Sequence, residues 1–325
     1  MKKINQILVI TLSNPGDVIL TFPAIDILKE KFPGARLSVM VGPRAEGLFQ
    51  GNPHIRKVLV FDKRQKPYEQ FQWILNLRQE KFDLVVDLRH TAIPLLLRKR
   101  YCTPICHFNF FQHHMKKKHL KRLRSVLRFK GESRKRSALF ISDEDERYIE
   151  EWIGNNIPRE QRFFVVGPGA ASHIKRWRED HFAAACQELM NSLKVQIVFV
   201  GDQNDVWVVS RIIQRMKNQQ PLDLSGKTML PQLAALLKRS SLVIVNDSAI
   251  LHMASYLDRP VVAIFGPTNE RKYGPWSSRG LVVRKKLFCS PCEQSACAYH
   301  HECMADLEVK EVVEAVRRVL LMNDT

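Results

Sequence analysis

Residues 6–31 read QILVITLSNPGDVILTFPAIDILKEK, and this stretch decides the fold class. A run of aliphatic residues ends at Leu12, a turn containing Pro15 and Gly16 follows, and a helical pattern begins at Asp17. A short apolar run bounded by turn residues is typical of a buried strand. Because a helix follows it directly, the stretch predicts the start of a βαβ unit, and with it an α/β fold with a parallel sheet.

The same alternation continues along nearly the whole chain. In the first half we predict strands at residues 6–12, 36–41, 57–61 and 83–88, and helices at 17–31, 68–80 and 111–127. In the second half we predict strands at 163–166, 196–200, 242–245 and 261–265, and helices at 179–192, 204–217, 229–238 and 308–321. A chain of 325 residues exceeds what one core usually organises, so we expect two doubly wound, Rossmann-like domains.

The boundary between these domains is expected near Pro158. Residues 142–161 combine an acidic helix with the sequence Asn-Asn-Ile-Pro-Arg, which suits a linker. The predicted domains are therefore residues 1–158 and 159–325, facing each other across a cleft. The final helix at 308–321 is expected to pack either on the second domain or back on the first. Ligands of such domains bind at the carboxyl ends of the strands, so the motifs are sought there.

The positive charge of the chain is concentrated in one segment. Of a formal net charge of +18, residues 98–136 hold fourteen lysines and arginines against one acid, Glu132. Such a cluster attracts a polyanion, either nucleic acid, anionic lipid head groups or a phosphorylated substrate, although a solvated helix face would have the same composition.

Compartment is predicted from the apolar runs and the cysteines. The apolar stretch after the N-terminus is too short for an export signal, and no run reaches the roughly 18 apolar residues of a membrane span. We therefore expect a cytosolic chain whose seven cysteines are reduced rather than paired in disulfides.

The first motif places Asp17 at the start of the first predicted helix. A carboxylate there either complements the helix dipole or, at a strand end facing the cleft, accepts a proton from an attacking hydroxyl. The residues alone do not separate these roles.

The second motif, residues 166–182, runs from a strand into a glycine turn and then into basic residues. Gly169 lets backbone N–H groups approach a phosphate closely, and Lys175 and Arg176 supply positive charge beside it. The pattern predicts a diphosphate site, although it is neither a P-loop nor a dinucleotide fingerprint.

The third motif is a buried strand that ends at Asn246-Asp247-Ser248, where a helix begins. Free N–H groups at a helix start hold an anion, and Asp247 offers oxygens to sugar hydroxyls. His252 lies one turn further, as a ligand contact or as a core residue, and a later loop brings Gly266 and Thr268 to the same rim.

At this point a family resemblance becomes specific. The sequences GDVILTFPA, GAASHIKRW, NDSAILHMA and FGPTN, in this order, resemble the lipopolysaccharide heptosyltransferases of glycosyltransferase family 9. The resemblance implies a glycosyltransferase type B fold, with the acceptor held mainly by the first domain and ADP-heptose by the second. It implies an inverting, metal-independent transfer of heptose to the lipid A-linked inner core of lipopolysaccharide.

The resemblance also assigns roles to single residues. Asp17 matches the general base, Lys175 the donor-phosphate lysine and Asp205 an acid that holds the ribose. The predicted donor contacts are Gly169, Ser172, Arg176, Asp205, Asp247, Ser248, His252, Gly266 and Thr268. The predicted acceptor contacts are Ser13, Arg98, Lys116, Lys117, Lys118, Lys121, Arg122 and Arg124. Some relatives have hydroxyl residues where this chain has Ala170 and Ala171, so Ser172 and backbone amides would replace them.

Partners and location are expectations of the same kind. The acidic, membrane-anchored acceptor suits the basic segment, so the chain is expected to sit peripherally on the cytoplasmic face of the inner membrane. No cofactor is expected, and no nucleic-acid partner, because no binding motif for one is present.

Four cysteines near the C-terminus form the most metal-like cluster. Cys289, Cys292, Cys297 and Cys303 would supply four soft ligands to a structural zinc, but C-x2-C-x4-C-x5-C is not a usual zinc spacing.

Two other functions keep some support. A type B glycosyltransferase with another nucleotide sugar or acceptor would share these motifs, and a basic nucleic-acid-binding protein would share the charged segment. A nicotinamide dehydrogenase has less support, because neither half of the chain contains the dinucleotide fingerprint.

Overall fold

The computed structural model describes residues 3–105, 114–133, 135–217 and 220–323. The chain divides into two units, Met1–Ser142 and Asp143–Thr325, and each has its own sheet. The two units are described separately below.

The described residues of the first unit form five strands and five helices. They are β1 (Gln6–Ile10), α1 (Pro15–Ile19), α2 (Phe22–Lys31), β2 (Arg36–Val41), β3 (Lys57–Val60), α3 (Pro67–Leu77), β4 (Lys81–Asp87), α4 (Ile93–Leu96), β5 (Arg98–Cys102) and α5 (Met115–Arg124), with a 3₁₀ turn at Pro43–Phe49.

The second unit is larger. Its strands are β6 (Phe163–Gly167), β7 (Gln196–Phe199), β8 (Leu222–Asp223), β9 (Leu242–Asn246), β10 (Val261–Phe265) and β11 (Gly280–Arg284). Its helices are α6 (Asp143–Asn156), α7 (Glu179–Leu193), α8 (Val206–Arg215), α9 (Leu230–Arg239), α10 (Ala249–Tyr256), α11 (Glu270–Tyr273), α12 (Glu302–Ala305) and α13 (Val309–Leu321), with a 3₁₀ turn at His173–Lys175.

Both sheets have the Rossmann strand order. The first is ordered β3-β2-β1-β4-β5 and the second β11-β10-β9-β6-β7-β8, with parallel pairing between the neighbours. The order reverses between β1 and β4 in the first unit and between β6 and β9 in the second. Because consecutive helices cross to opposite faces there, a crevice opens at the carboxyl ends of these strands.

The strands form because both faces of each sheet are covered. Every residue of β6, β9 and β10 is buried, as parallel strands between two layers of helices require. The predicted α/β fold is therefore confirmed, and the predicted strands at 36–41 and 261–265 match β2 and β10 at both ends.

One predicted helix, 17–31, is two helices in the structure. It breaks after Ile19, and α2 begins at Phe22 with Pro23 in its first turn. In a continuous helix, residue 23 would donate its N–H to the carbonyl of Ile19, which proline cannot do. The hydroxyl of Thr21 instead donates to the carbonyl of Val18 at 2.6 Å, so the break is bonded locally.

The domain boundary differs from the predicted one. The structure places it at Ser142 rather than Pro158, because the acidic helix α6 packs on α9 within the second unit. Ile149 of α6 is fully buried, and the carboxylate of Glu146 pairs with Lys238 at 2.6 Å. The final helix α13 likewise buries its apolar face in the second unit's core, against α7 and β10.

Three strands were not predicted: β5, β8 and β11. β5 is a charged edge strand with exposed arginines at positions 98 and 100, and β8 has two residues, so neither has an apolar alternation. The predicted helix at 111–127 corresponds to α5, and residues 111–113 lie outside the described part of the chain.

Within the described residues, the helices are all too short or too polar to cross a lipid bilayer.

Candidate active site

The second unit gathers its motifs at the point where its strand order reverses. The glycine turn follows β6 and the Asn-Asp-Ser sequence ends β9, and these two strands are neighbours. Asn246 joins the two loops: its side-chain Nδ2 donates to the carbonyl of Pro168 at 2.7 Å, and its Oδ1 accepts from the N–H of Trp177 at 3.2 Å. The side chain is completely buried, so Asn246 fixes the spacing of the loops rather than contacting a ligand.

Lys175 and Asp247 lie in contact at this crevice. The Nζ of Lys175 is 2.7 Å from Oδ2 of Asp247, and the Asp247 side chain is only 7% exposed. Two side chains that are 72 residues apart in the sequence therefore meet at one crevice. A buried carboxylate in such a place needs a cation, and Lys175 supplies it.

Asp205 lies against the glycine turn. A Cβ added at Gly169 would stand 2.2 Å from the Asp205 carboxylate, and one added at Gly201 would stand 2.6 Å from its Cβ. Only glycine permits this approach at either position. Burial and the neighbouring charge of Asp202 raise the pKa of the Asp205 carboxyl, although the Asp202 N–H and Arg176 act in the opposite direction.

Arg176 braces the turn from the other side. Its guanidinium donates to the carbonyl of Ala170 at 2.9 and 3.2 Å and lies 3.6 Å from the Asp205 carboxylate. It also lies 5.6 Å from the ring centre of Trp207, beside a cavity of about 420 Å³ between α7 and α8. Arg176 thus holds the shape of the turn through two of its N–H donors and its charge.

The remaining predicted donor contacts occupy this rim in different ways. Ser172 precedes the 3₁₀ turn that contains Lys175, and Ser248 precedes α10 with its hydroxyl unbonded among the described residues. His252 is 4% exposed and stacks on Trp276 at 5.7 Å, an arrangement that suits a core residue. Thr268 is 6% exposed. Gly266 accommodates Met304, whose sulfur would be 2.4 Å from an added Cβ.

In the first unit, Asp17 lies in the first turn of α1, after β1. It is partly exposed, and its Oδ2 accepts from the Nδ2 of Asn14 at 3.1 Å. Ser13 precedes this turn and packs against Gly42, where an added Cβ would stand 2.8 Å from it. Both residues are thus at the carboxyl end of β1, next to the reversal of the strand order.

The end of β4, beside β1, carries a cluster that the sequence motifs did not reveal. Asp87 is 1% exposed and accepts from the backbone N–H groups of Arg89 and Thr91 at 2.9 and 2.6 Å. Arg122 of α5 donates to the carbonyl of Asp87, and its other nitrogen lies 2.7 Å from the His90 ring. His90 has a left-handed φ of 63°, a conformation that such contacts stabilise.

His119 lies one turn before Arg122 on the same helix. It is 4% exposed, and burial, reinforced by His90, Arg122 and other nearby cations, lowers its pKa to about 3. No pattern in the sequence could have shown this, because α5 reads as a helix that is basic all round.

The basic segment divides into exposed and internal cations. Among the predicted acceptor contacts, Arg98, Lys117, Lys121 and Arg124 are exposed and Lys118 is half-buried. Lys116 and Arg122 are buried, and Lys116 pairs with Glu132 at 2.9 Å. These two side chains are committed to internal contacts, which corrects their expected place on an open acceptor surface.

The four C-terminal cysteines line one cavity of about 140 Å³, together with His301. In the described part of the chain, no three histidine, cysteine or acidic side chains are arranged around a common point where a metal ion would fit. Burial and the other three thiols raise the pKa of Cys303 to about 11, so it is a thiol at neutral pH. The zinc hypothesis gains no geometric support.

Similarity to known proteins agrees with the motifs. The sequence matches glycosyltransferase family 9 (heptosyltransferase) over residues 109–302, more than half of the chain. Lipooligosaccharide heptosyltransferase 2 of Campylobacter jejuni is 25% identical over 315 residues, which cover 94% of this chain and 96% of that protein.

Solved structures show the same architecture. The family 9 glycosyl transferase of Veillonella parvula superimposes with a TM-score of 0.81 at 22% identity, over 98% of both chains. ADP-heptose lipopolysaccharide heptosyltransferase II of E. coli gives 0.76 at 21% identity, over 98% of this chain and all of that one. The likeness confirms the fold as two Rossmann-like units of the glycosyltransferase B type. With the family match over residues 109–302, it follows that this chain belongs to glycosyltransferase family 9, the heptosyltransferase family.

Proposed function

We propose that this protein transfers heptose from ADP-heptose to the inner core of lipopolysaccharide, on the lipid A-linked acidic oligosaccharide. Family membership and the heptosyltransferase relatives support this activity. The observation that carries it is the contact between Lys175 and Asp247 at the strand reversal of the second unit. A cation and a carboxylate at this point suit a ligand with a diphosphate at one end and hydroxyl groups at the other.

Donor binding would exchange one partner of Lys175 for another. The diphosphate of ADP would take the ammonium group, together with backbone N–H groups of the turn after β6, because anions bind where such groups converge. Asp247 would then accept hydrogen bonds from sugar hydroxyls, and Asp205 from the ribose. Ser172 would supply the hydroxyl group that Ala170 and Ala171 lack.

The chemical step would be a single displacement with inversion. The acceptor hydroxyl attacks the anomeric carbon while the bond from that carbon to the phosphate oxygen breaks, and Asp17 takes the hydroxyl proton. ADP leaves with the bonding electron pair, and Lys175 stabilises the added negative charge. None of these steps assigns a role to a metal ion or a cofactor.

The acceptor would bind on the first unit, through Ser13 and the exposed cations of the basic segment. Because the acceptor is membrane-anchored and acidic, the protein would work peripherally on the cytoplasmic face of the inner membrane. Exposed Lys117, Lys121 and Arg124 make affinity for the acceptor salt-dependent. We expect no nucleic-acid partner.

The test is release of ADP from ADP-heptose by the purified protein, with and without a lipid A-linked acceptor. We expect release only with the acceptor, and a loss of about 10²-fold or more in kcat for Asp17→Asn, with donor affinity retained. Asp26→Asn, in the next helix, is not a matched control because Asp26 is buried and bonded to Ser137 and Ala138. The half-exposed Asp62→Asn serves instead. Full turnover by Asp17→Asn would remove the base assignment, and a preference for UDP- or GDP-linked sugars would replace the donor.

A further inference from the structure

Helix α3 has an outer face without charge. Its exposed side chains include Tyr68, Phe71 and Leu75, at 57, 51 and 38% exposure, and these lie at i, i+3 and i+7 on one side. The polar residues beside them are amides, Gln72 and Asn76. A surface helix normally carries charged residues on its outer face, so this stripe needs an explanation.

The one charged residue of α3 is not on that stripe. Glu69 caps the start of the helix, where its carboxylate accepts from the N–H of Lys66 at 3.1 Å and from the hydroxyl of Tyr68 at 3.0 Å. The inner face of the helix is occupied by the unit's own core, since Ile74 and Leu77 are buried in the cluster beneath it. The outer face therefore remains available in this unit.

The apolar surface continues beyond α3. Helix α4 packs beside it, and its Leu95 is 63% exposed. Exposed cations border these residues: Lys63 and Lys66 before α3, Arg78 after it, and Arg98 and Arg100 on the edge strand β5 that follows α4. We call Tyr68, Phe71, Leu75 and Leu95, with this border, the α3 surface.

We propose that the α3 surface is where the protein docks on an anionic lipid bilayer. Apolar and aromatic side chains that enter the head-group region, with lysines and arginines around them, are the composition of an interfacial membrane helix. A protein partner would have to accommodate exposed positive charge on both sides of an apolar stripe, whereas anionic head groups match that border. This inference rests on the proposed function, which places a lipid-linked acceptor on the same unit.

Vesicle binding of the full-length protein tests the proposal. The probes are vesicles of phosphatidylethanolamine with phosphatidylglycerol as the minor component, and vesicles of phosphatidylcholine alone. We expect binding to the anionic vesicles, and a loss of at least about tenfold in partition coefficient for Phe71→Gln combined with Leu75→Gln. Leu321→Gln combined with Met322→Gln, two exposed residues of the second unit, is the matched control and should bind like the wild type.

Activity measurements separate this proposal from the proposed function. Phe71→Gln with Leu75→Gln should turn over a deacylated, soluble acceptor at the wild-type rate but lose turnover of the lipid acceptor in vesicles. Equal partition of the two double variants would overturn the α3 surface. So would a wild-type dimer that Phe71→Gln with Leu75→Gln converts to monomers, because the stripe would then be a protein interface. If no acceptor of any kind were turned over, the proposed function would fail while the vesicle result still stood.

Discussion

Asn246 shows how one buried amide fixes the geometry of a binding site. Its two hydrogen bonds join the loop after β6 to the loop after β9, so the spacing between Lys175 and Asp247 depends on it. The residue lies beside Asp247 in the sequence, yet its role is visible only from its partners Pro168 and Trp177. Sequence motifs identify the groups that touch a ligand more readily than the groups that position them.

Gly169 is the position where a single methyl group tests the donor site. A Cβ there would overlap the Asp205 carboxylate at 2.2 Å, so we expect Gly169→Ala to destabilise the protein by about 1–3 kcal/mol and to weaken ADP binding. Asp205→Ala added to Gly169→Ala should recover part of the stability, because it removes the overlapping group. Denaturant unfolding measures both effects, and Gly34→Ala, with open space around it, is the control. Strict additivity of the two substitutions would contradict this contact.

His119 makes a prediction about acid stability. Its pKa is about 3 in the folded chain and near 6.5 when exposed, so the unfolded chain binds a proton at a higher pH than the folded one. Stability from this group is therefore lost as the pH falls from about 6.5 towards 3, by up to about 1.4 kcal/mol per pH unit. His119→Leu should flatten the fall in unfolding free energy between pH 7 and 4.5, before most carboxylates titrate. The exposed His54→Gln should keep the wild-type slope. If His119→Leu also keeps it, the buried neutral histidine is not its cause.

At the scale of elements, the long buried strands were predictable and the interruptions were less so. Continuous apolar runs such as β2 and β10 have no other good environment than a covered parallel sheet. The break between α1 and α2 also has a sequence signal, Pro23, but the apolar pattern on both sides of it reads as one helix. Strand β5 has almost no sequence signal, because its pairing with β4 depends on backbone hydrogen bonds that its charged residues do not indicate.

Helix α5 is fixed to the end of β4 by Arg122, and this attachment is testable. The guanidinium contacts both the Asp87 carbonyl and His90. Replacing this two-pronged donor by a single ammonium group leaves a buried polar group unbonded. We expect Arg122→Lys to lower the unfolding free energy by about 1–3 kcal/mol and to reduce acceptor turnover at any salt concentration. Lys121→Gln, on the exposed side of the same helix, should change only the KM for the acceptor, and mainly at low salt. Identical salt profiles for the two variants would place Arg122 on the acceptor surface after all.

For the whole molecule, the number of units was predictable and their limits were not. Chain length and the repeated strand pattern require two cores, and each unit has its own sheet in Rossmann order. The acidic composition of α6 resembles a solvated linker, and only its partners Lys238 and Arg239 on α9 show where it belongs. The candidate site follows the same rule: the motif residues were found at the strand ends, whereas Arg122 joins Asp87 and His90 from more than 30 residues away, a distance at which the sequence shows no pattern.

The boundary at Ser142 predicts how the second unit behaves alone. A fragment of residues 143–325 keeps α6, including the fully buried Ile149 and the pairing of Glu146 with Lys238, whereas a fragment of residues 159–325 loses both. The ion pair is exposed and contributes little, so most of the loss comes from Ile149 and the face of α9 that it covers. We expect the shorter fragment to be less stable by about 3 kcal/mol or more, judged by urea unfolding. The longer fragment should bind ADP in calorimetry with an affinity close to that of the full chain, because the donor groups Lys175, Asp205 and Asp247 all lie within it. Equal stability of the two fragments would return α6 to the role of a linker.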